Sequence, residues 1–144
     1  MSMTIITGVD GSPTAAAAAH KAAELAQVMG AALVVVSAFG KLEVERINAG
    51  GEEFVLSNED DAQQIADQAV RQLRSDFPDL DMRAEPADGR PAEALLRTAE
   101  YRHADLIVVG NKRVQGVTRV LGSIARDVIQ QASCDVYIAY THQR

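Results

Sequence analysis

The chain has 144 residues, a length that suits one domain spanning residues 1–144 with a sizeable buried core. Apolar residues make up 47% of it, but with three Phe, three Tyr and no Trp the core must be built mainly from Ala, Val, Ile and Leu. Lys and Arg number 14 against 20 Asp and Glu, and the net charge of −6 argues against nucleic acid or an anionic membrane surface as the main partner.

The first third of the chain predicts a strand, a helix and a second strand. Met3 to Val9 is a short apolar strand that breaks at Asp10-Gly11-Ser12-Pro13. An Ala-rich helix follows from Thr14 to Met29, and Gly30 suits its C-terminal end. Ala32 to Ser37 is a second, continuous apolar strand. The apolar stripe of the helix consists of positions three and four apart: Ala15, Ala18, Ala22, Leu25, Ala26 and Met29.

The middle of the chain lacks a clean apolar period before a second helix begins. Residues 38–56 form a long excursion, with a helical turn over residues 42–47 as one interpretation. Ser57 is the predicted cap of the helix that follows, and acidic residues occupy its first turn. Its apolar face ends near Phe77, and Pro78 ends the helix.

The second half repeats the alternation of strand and helix. Met82 to Pro86 alternates apolar and polar residues and ends in proline, which is typical of an edge strand. Gly89-Arg90-Pro91 opens a third helix, with Pro91 in its first turn. Leu106 to Val109 predicts a strand buried on both faces. A helix from Ser123 to about Gln131 and a last strand from Asp135 to Tyr140 complete the chain.

Strands and helices alternate, five of each roughly in turn, so we expect one parallel sheet with helices on both faces. We expect the most apolar strands, the first and the fourth, in the middle of the sheet and the polar third strand at an edge. These positions favour the order 3-2-1-4-5, with right-handed crossovers. A ligand crevice then opens at the C-terminal ends of strands 1 and 4. Asp10 and Gly110 meet at that crevice.

The crevice has the features of an anion site. Gly110 and Asn111 end the fourth strand, and Gly122-Ser123 stands where the last helix begins. Backbone N–H groups and the positive end of a helix dipole would surround one hollow, which suits a phosphate-bearing ligand. The alternative is a strand-to-helix loop that uses glycine only to turn.

Four segments resemble the universal stress protein superfamily, and the resemblance covers nearly the whole chain. Ile5 to Ser12 is similar to the family's opening strand and its Asp-x-Ser turn. Gly89-Arg90-Pro91-Ala92 and Ala104 to Gly110 are similar to its third helix and fourth strand, and Gly122-Ser123 to the end of its nucleotide loop. The resemblance implies an α/β domain that binds ATP or a related adenine nucleotide.

One departure concerns the nucleotide loop. ATP-binding members usually carry Gly-x-x-Gly, nine residues and then Gly-Ser, but here Arg113 stands at the second glycine and a glycine follows at Gly116. The span from Gly110 to Gly122 is also one residue shorter than usual. An arginine could reach the phosphates by bidentate contact, and Lys112 and Arg119 also make the loop basic. The alternative is a solvated basic loop whose pocket is lost.

The predicted nucleotide site gathers residues from four segments. Asp10 either contacts the ribose or a phosphate-bound Mg²⁺, or it caps the helix that begins near Pro13. Ala38, just past the second strand, matches the family position whose backbone contacts adenine. Ser123 is expected to cap the last helix and so to complete the anion site. The predicted nucleotide-binding residues are Gly8, Val9, Asp10, Ala38, Gly110, Asn111, Arg113, Gly116, Gly122, Ser123, Ile124 and Ala125.

Other reactive side chains are assigned no chemistry. His20 and His103 are expected on the surface or in packing, and His142 lies near the C-terminus without metal-ligand spacing to either. The single cysteine, Cys134, excludes an internal disulfide and a cysteine cluster, and it is expected to be a small buried residue. No leader or spanning segment is recognisable, so a cytoplasmic location is expected.

Three functions are compared. The first is a regulatory, stress-response protein that binds an adenine nucleotide and hydrolyses it slowly at most. The second is a dimeric scaffold of the same family without nucleotide, and the third is a nucleotide-converting enzyme, disfavoured because no His-x-Gly-His motif is present. We also expect a homodimer through the apolar last strand, with Val136, Ile138 and Tyr140 at or beside the interface.

Overall fold

A computed structural model describes residues 2–40, 58–111 and 121–141 of the chain. Arg113, Gly116 and the predicted turn over residues 42–47 lie outside the described residues, as do Lys112, Arg119 and His142. Five strands and four helices alternate along the described chain. They are β1 (Thr4–Gly8), α1 (Pro13–Met29), β2 (Ala32–Phe39), α2 (Glu59–Asp76), β3 (Met82–Asp88), α3 (Pro91–Tyr101), β4 (Leu106–Gly110), α4 (Ser123–Gln131) and β5 (Asp135–Ala139).

The strands form one parallel sheet in the order β3-β2-β1-β4-β5. This confirms the predicted fold class, including the edge positions of the third and fifth strands. β1 and β4 are neighbours near the centre, with Ile5 opposite Leu106 and Thr7 opposite Val108. The chain reverses its winding between these two strands, and a crevice lies at the C-terminal ends of strands that meet in this way.

Each face of the sheet is covered by two helices. Alternation along β1 directs Ile5 toward one face and Ile6 toward the other. Ile5 packs in a core cluster with α1 and α2, whereas Ile6 packs in a second cluster with α3 and α4. The two clusters, one on each side of the sheet, account for the helices predicted on both faces.

The small side chains of α1 let it lie against the sheet. Five alanines of this helix are buried: Ala18, Ala19, Ala22, Ala23 and Ala26. Met29, predicted to face inward, is instead 39% exposed. The helix ends at the next residue, Gly30, whose left-handed φ of 67° turns the chain directly into β2. The last turn therefore has little sheet left to cover.

Two element boundaries differ from the sequence prediction in ways that bear on the site. The side chain of Asn58, not Ser57, caps α2 by accepting a hydrogen bond from Asp61 N–H at 2.9 Å. The acidic first turn made a cap here predictable, but two adjacent polar residues competed for the role. β2 continues to Phe39, so Ala38 lies inside the strand, opposite Ala87, rather than past its end.

None of the described helices is both long enough and apolar enough to cross a bilayer.

Candidate functional site

The C-terminal ends of β1 and β4 lie side by side. The hydroxyl of Thr7 is buried and donates to the Val108 carbonyl at 3.0 Å, which ties the two strands together one residue before β1 ends. The segments around Asp10 and Gly110, which the sequence had singled out separately, therefore leave the sheet at neighbouring points. Val9 anchors the first of them, because its N–H donates to the Val36 carbonyl of β2 at 2.8 Å.

A hydrogen-bonded turn connects β1 to α1. Asp10 is exposed, and one of its carboxylate oxygens accepts from Ser12 N–H at 2.9 Å. Gly11 adopts a φ of 86°, which glycine allows without strain. Ser12, one residue before α1, caps the helix by accepting from Ala15 N–H at 3.2 Å. The interpretation of Asp10 as the cap is therefore wrong, since Asp10 shapes the turn that places Ser12 in that role.

The two glycines that end the central strands make room for protein side chains on opposite faces. A Cβ added at Gly8 would lie 3.1 Å from Cδ2 of Leu95 on α3. A Cβ added at Gly110 would lie 3.2 Å from Cγ2 of Thr141 and 3.6 Å from the Cβ of Ala18 on α1. Packing of neighbouring side chains thus explains why both positions are glycine. Toward the crevice, both residues expose backbone atoms.

Asn111 links the end of β4 to the end of β5. Its N–H donates to the Ala139 carbonyl at 3.0 Å and so extends the strand pairing by one residue. Its side-chain oxygen accepts two hydrogen bonds from Thr141, from the backbone N–H at 2.8 Å and from the hydroxyl at 3.1 Å. Both residues are half-buried. Thr141 was not anticipated, because nothing in the local sequence marks it.

The N-terminus of α4 has a glycine as its N-cap residue. The N-cap residue is Gly122, whose extended φ and ψ of −63° and 161° precede the first helical residue, Ser123. The prediction that Ser123 caps the helix is therefore wrong. A residue inside the first turn cannot serve as the cap, and among the described residues no cap side chain accepts a hydrogen bond there. Ser123 is exposed, Ile124 half-buried and Ala125 buried.

The charges around α4 favour a negative ligand. In α4, which is described over its full length, the first turn carries no acidic residue. Arg126 follows that turn, and its guanidinium donates to the Leu121 carbonyl at 3.1 Å. The first-turn N–H groups of a helix and its dipole both attract anions. An arginine close to the same end adds to that attraction.

A magnesium site could use one carboxylate here. In the part of the chain that the structure describes, no group of three His, Cys, Asp or Glu side chains could hold a metal by itself. Mg²⁺ bound to a nucleotide needs only one or two protein carboxylates, because phosphates and waters supply the remaining ligands. Exposed Asp10 fits that role, since the Ser12 N–H engages one of its two oxygens.

Reactive side chains outside the crevice have packing or surface roles. His20 lies half-exposed on α1 with its two ring nitrogens 3.1 Å from Glu24 and 3.3 Å from Asp76, and its ring tilts over Phe77. Cys134 is half-buried, and burial raises the pKa of its thiol. Neither residue lies at the end of β1 or β4.

Comparison with known proteins agrees with this geometry. The model of the universal stress protein family matches residues 1–139. A universal stress protein of Thermus aquaticus is 34% identical over 139 residues, an alignment that covers 96% of this chain and 98% of the relative. A universal stress protein of Mycobacterium tuberculosis is 29% identical over 149 residues, an alignment that covers 96% of this chain and 96% of the relative.

Two solved structures with similar folds hold adenine nucleotides. A universal stress protein in complex with cAMP is 26% identical, with a TM-score of 0.72 and coverage of 97% of this chain and 98% of that chain. The universal stress protein of Archaeoglobus fulgidus in complex with dAMP is also 26% identical, with a TM-score of 0.63 and coverage of 94% and 96%. The chain therefore belongs to the universal stress protein family.

Proposed function

We propose that this protein binds an adenine nucleotide in the crevice at the C-terminal ends of β1 and β4. The bound nucleotide would set the protein's conformation or choice of partner in a regulatory, stress-response role. The observation that carries the proposal is the N-terminus of α4, which lacks a side-chain cap and a first-turn acid and has Arg126 beside it. These features attract an anion and leave N–H donors for it.

The nature of the ligand is supported by relatives. Two universal stress proteins at 26% identity were solved with cAMP and with dAMP, both adenine nucleotides with a single phosphate. The basic residues Lys112, Arg113 and Arg119 favour a ligand with more phosphates, and we therefore keep ATP as the leading candidate. A direct comparison of ATP, AMP and cAMP decides among them.

Nine of the twelve predicted site residues are given roles in this proposal. The backbone of Gly8, Val9 and Gly110 lines the floor, and Ala38 offers backbone to the adenine. Ser123, Ile124 and Ala125 supply N–H groups to a phosphate, while Gly122 leaves room for it. Asp10 holds Mg²⁺ carried by the nucleotide or contacts the ribose. The proposal needs no catalytic residue, and we expect bound ATP to be hydrolysed slowly at most.

Mass spectrometry of small molecules released from the purified, denatured protein tests the proposal. We expect co-purified ATP or AMP, and calorimetry should give saturable binding of an added adenine nucleotide. Gly122→Val should abolish that binding, because the added isopropyl group would occupy the phosphate approach. The extended backbone of Gly122 is accessible to valine, so circular dichroism should stay unchanged.

A graded control is Gly122→Ala, which adds one methyl group to the same backbone and should lose less affinity than the valine variant. Unchanged binding by a folded Gly122→Val protein would refute the site. Failure of the unmodified protein to bind any adenine nucleotide would refute the function. That outcome would favour the alternative, a dimeric scaffold without nucleotide, for which Arg113 and the shortened glycine spacing are the sequence evidence.

We also propose that the protein forms a homodimer through β5. The two edges of the sheet differ in how they are protected. On β3, Pro86 has no N–H to donate. The Gln63 side chain donates to the Ala84 carbonyl at 3.1 Å, and Arg97 donates to the Asp88 carbonyl at 3.4 Å. β5 contains no proline and lies at the opposite edge, which makes it the more available strand for pairing.

The side chains of β5 decide which substitution tests the dimer without damaging the core. Val136 and Ile138 pack on the cluster formed with α3 and α4, so they lie beside a β5 interface and also stabilise the fold. Tyr137 alternates with them and is 39% exposed. Tyr137→Lys should therefore raise the monomer fraction with less damage to the core than Ile138→Asp. Tyr101→Lys on α3, where the ring is 81% exposed, is the matched control.

Light scattering at micromolar concentration measures the outcome. One chain has a mass of 15.4 kDa, and the unmodified protein and Tyr101→Lys should both have twice that mass. The average mass of Tyr137→Lys should fall from the dimer value toward the mass of one chain. A monomeric unmodified protein would refute the dimer. A dimer that is insensitive to Tyr137→Lys would place the interface elsewhere.

A further inference from the structure

The backbone of β3 has one side bonded to β2 and one side that faces out of the sheet. The Leu33 N–H donates to the Asp81 carbonyl at 2.9 Å, and the Gly89 N–H donates to the Phe39 carbonyl at 2.8 Å. Backbone groups of alternate residues point to the same side of a strand. The outward-facing residues are therefore the intervening ones: Met82, Ala84, Pro86 and Asp88.

Three successive outward-facing residues each lack one of the groups that strand pairing uses. Pro86 has no N–H. The Ala84 carbonyl accepts from the Gln63 side chain of α2 at 3.1 Å, and the Asp88 carbonyl accepts from the Arg97 guanidinium of α3 at 3.4 Å. The two helices pack on opposite faces of the sheet, so these side chains reach the same edge from both sides. Both line one groove together with residues 84–86.

We propose that Gln63, Pro86 and Arg97 form a barrier, the β3 barrier, that prevents a second copy of this chain from adding a strand to β3. An added strand exchanges hydrogen bonds with both backbone groups of each outward-facing residue. The Gln63 and Arg97 side chains lie where its N–H groups would have to approach. A sheet with two open edges can extend from copy to copy, whereas one closed edge stops that growth.

The triple variant Gln63→Ala, Pro86→Val and Arg97→Ala should open the edge, because it frees both carbonyls and restores an N–H between them. Its average mass by light scattering should be at least about twofold above that of the unmodified protein, the ratio for two dimers joined through β3. The mass should also keep rising with concentration. The three replaced side chains are half-buried or exposed, so the fold should persist and circular dichroism should be unchanged.

Two comparisons control for the substitutions themselves. Pro86→Val alone should keep the mass of the unmodified protein, because Gln63 and Arg97 still hold the carbonyls on either side. Gln64→Ala combined with Arg71→Ala removes the same two residue types from exposed positions on α2. This matched control should also keep the unmodified mass.

Amide hydrogen exchange separates strand pairing from misfolding. The Ala84 N–H faces outward, and an added strand would accept a hydrogen bond from it. In the assembled triple variant this amide should therefore exchange several-fold more slowly than in the unmodified protein, while the buried amides of β4 keep their protection.

A folded triple variant with the unmodified mass at every concentration would refute the barrier. Growth without slower exchange at Ala84 would place the new contact elsewhere and would also refute it. Growth of Pro86→Val equal to that of the triple variant would refute the roles of Gln63 and Arg97.

The barrier is independent of nucleotide binding, and only the size of the assembly rests on the proposed β5 dimer. If the unmodified protein is a monomer, the β5 dimer fails, and the barrier then predicts that the triple variant forms dimers through β3. A triple variant that stays monomeric in that case would refute the barrier as well.

Discussion

Asp10 has two separable roles in this account, and two substitutions distinguish them. In the fold, one carboxylate oxygen accepts at 2.9 Å from the N–H of Ser12, the residue that caps α1. In the proposed site, the negative charge holds Mg²⁺ on the nucleotide. Asp10→Asn keeps an oxygen for Ser12 but removes the charge, whereas Asp10→Ala removes both.

The stability effect follows from the hydrogen bond. Such a bond contributes about 0.5–1.5 kcal/mol, and the exposure of Asp10 favours the lower half of that range. For 144 residues the unfolding entropy is about 0.3 kcal/mol per kelvin. Asp10→Ala should therefore lower the melting temperature by about 2–3 °C, while Asp10→Asn should stay close to the unmodified protein.

The effect on binding should be different. Two unit charges at 4 Å interact by about 1 kcal/mol in a water-like dielectric, so a divalent ion gains about 2 kcal/mol from the Asp10 carboxylate. Both substitutions should therefore weaken Mg²⁺-ATP by roughly thirtyfold. They should not weaken ATP in EDTA, because without the metal the Asp10 carboxylate only repels the phosphates. Asp79→Asn, at an exposed position in the turn after α2, makes the same charge change and should affect neither quantity.

Thermal unfolding followed by circular dichroism, and calorimetry with and without Mg²⁺, measure the two effects. If Asp10→Asn destabilises as much as Asp10→Ala, the hydrogen bond to Ser12 is not the source of the stability. If neither substitution changes Mg²⁺-ATP affinity, the assignment of Asp10 to the metal is wrong.

Three further predictions concern other parts of the chain. Arg113→Ala should weaken ATP roughly ten- to a hundredfold through loss of a charge-assisted contact and spare adenosine; calorimetry showing equal losses would mean that Arg113 does not touch phosphate. Burial raises the pKa of the Cys134 thiol, so at neutral pH a smaller fraction is thiolate than in the unfolded chain. The thiol should therefore react with a disulfide reagent more slowly in the folded protein than in urea; equal rates would contradict that burial. Glu85 on β3 and Arg102 at the end of α3 form a salt bridge, with side chains 26% and 23% exposed. A double-mutant cycle measured by urea unfolding should give a coupling free energy of about 1–2 kcal/mol; a coupling near zero would show an ordinary surface pair.

The sheet was predictable because its signals are local and repeated. Continuous apolar runs mark strands covered on both faces, and the run at Leu106 to Val109 becomes the central strand β4. Pro86 marks the third strand as an edge, which fixes one end of the strand order. Alternation of these strands with helices leaves few other arrangements.

The cap residues of α1, α2 and α4 were less predictable, because neighbouring residues competed for each of these positions. Asn58 caps α2 although Ser57 precedes it, and Ser12 caps α1 although Asp10 was also a candidate. At α4 the glycine, not Ser123, is the cap residue. The backbone angle at each position decides among them, and composition does not report that angle.

Contacts between distant residues could not be predicted. Asn111 and Thr141 are 30 residues apart and meet because β4 and β5 pair in a particular register. In β5, alternation indicated that Val136 and Ile138 share a face. It could not indicate that α3 and α4 cover that face and leave Tyr137 on the other.

The most direct test of the central claim is an amide NMR titration of the isotopically labelled protein with ATP. We predict saturable shifts at the amides of Gly8, Asp10, Gly110 and the first turn of α4 from Ser123 to Ala125, with little change along α2 and β3. Shifts absent at millimolar ATP, or confined to residues away from the ends of β1 and β4, would contradict nucleotide binding at this crevice.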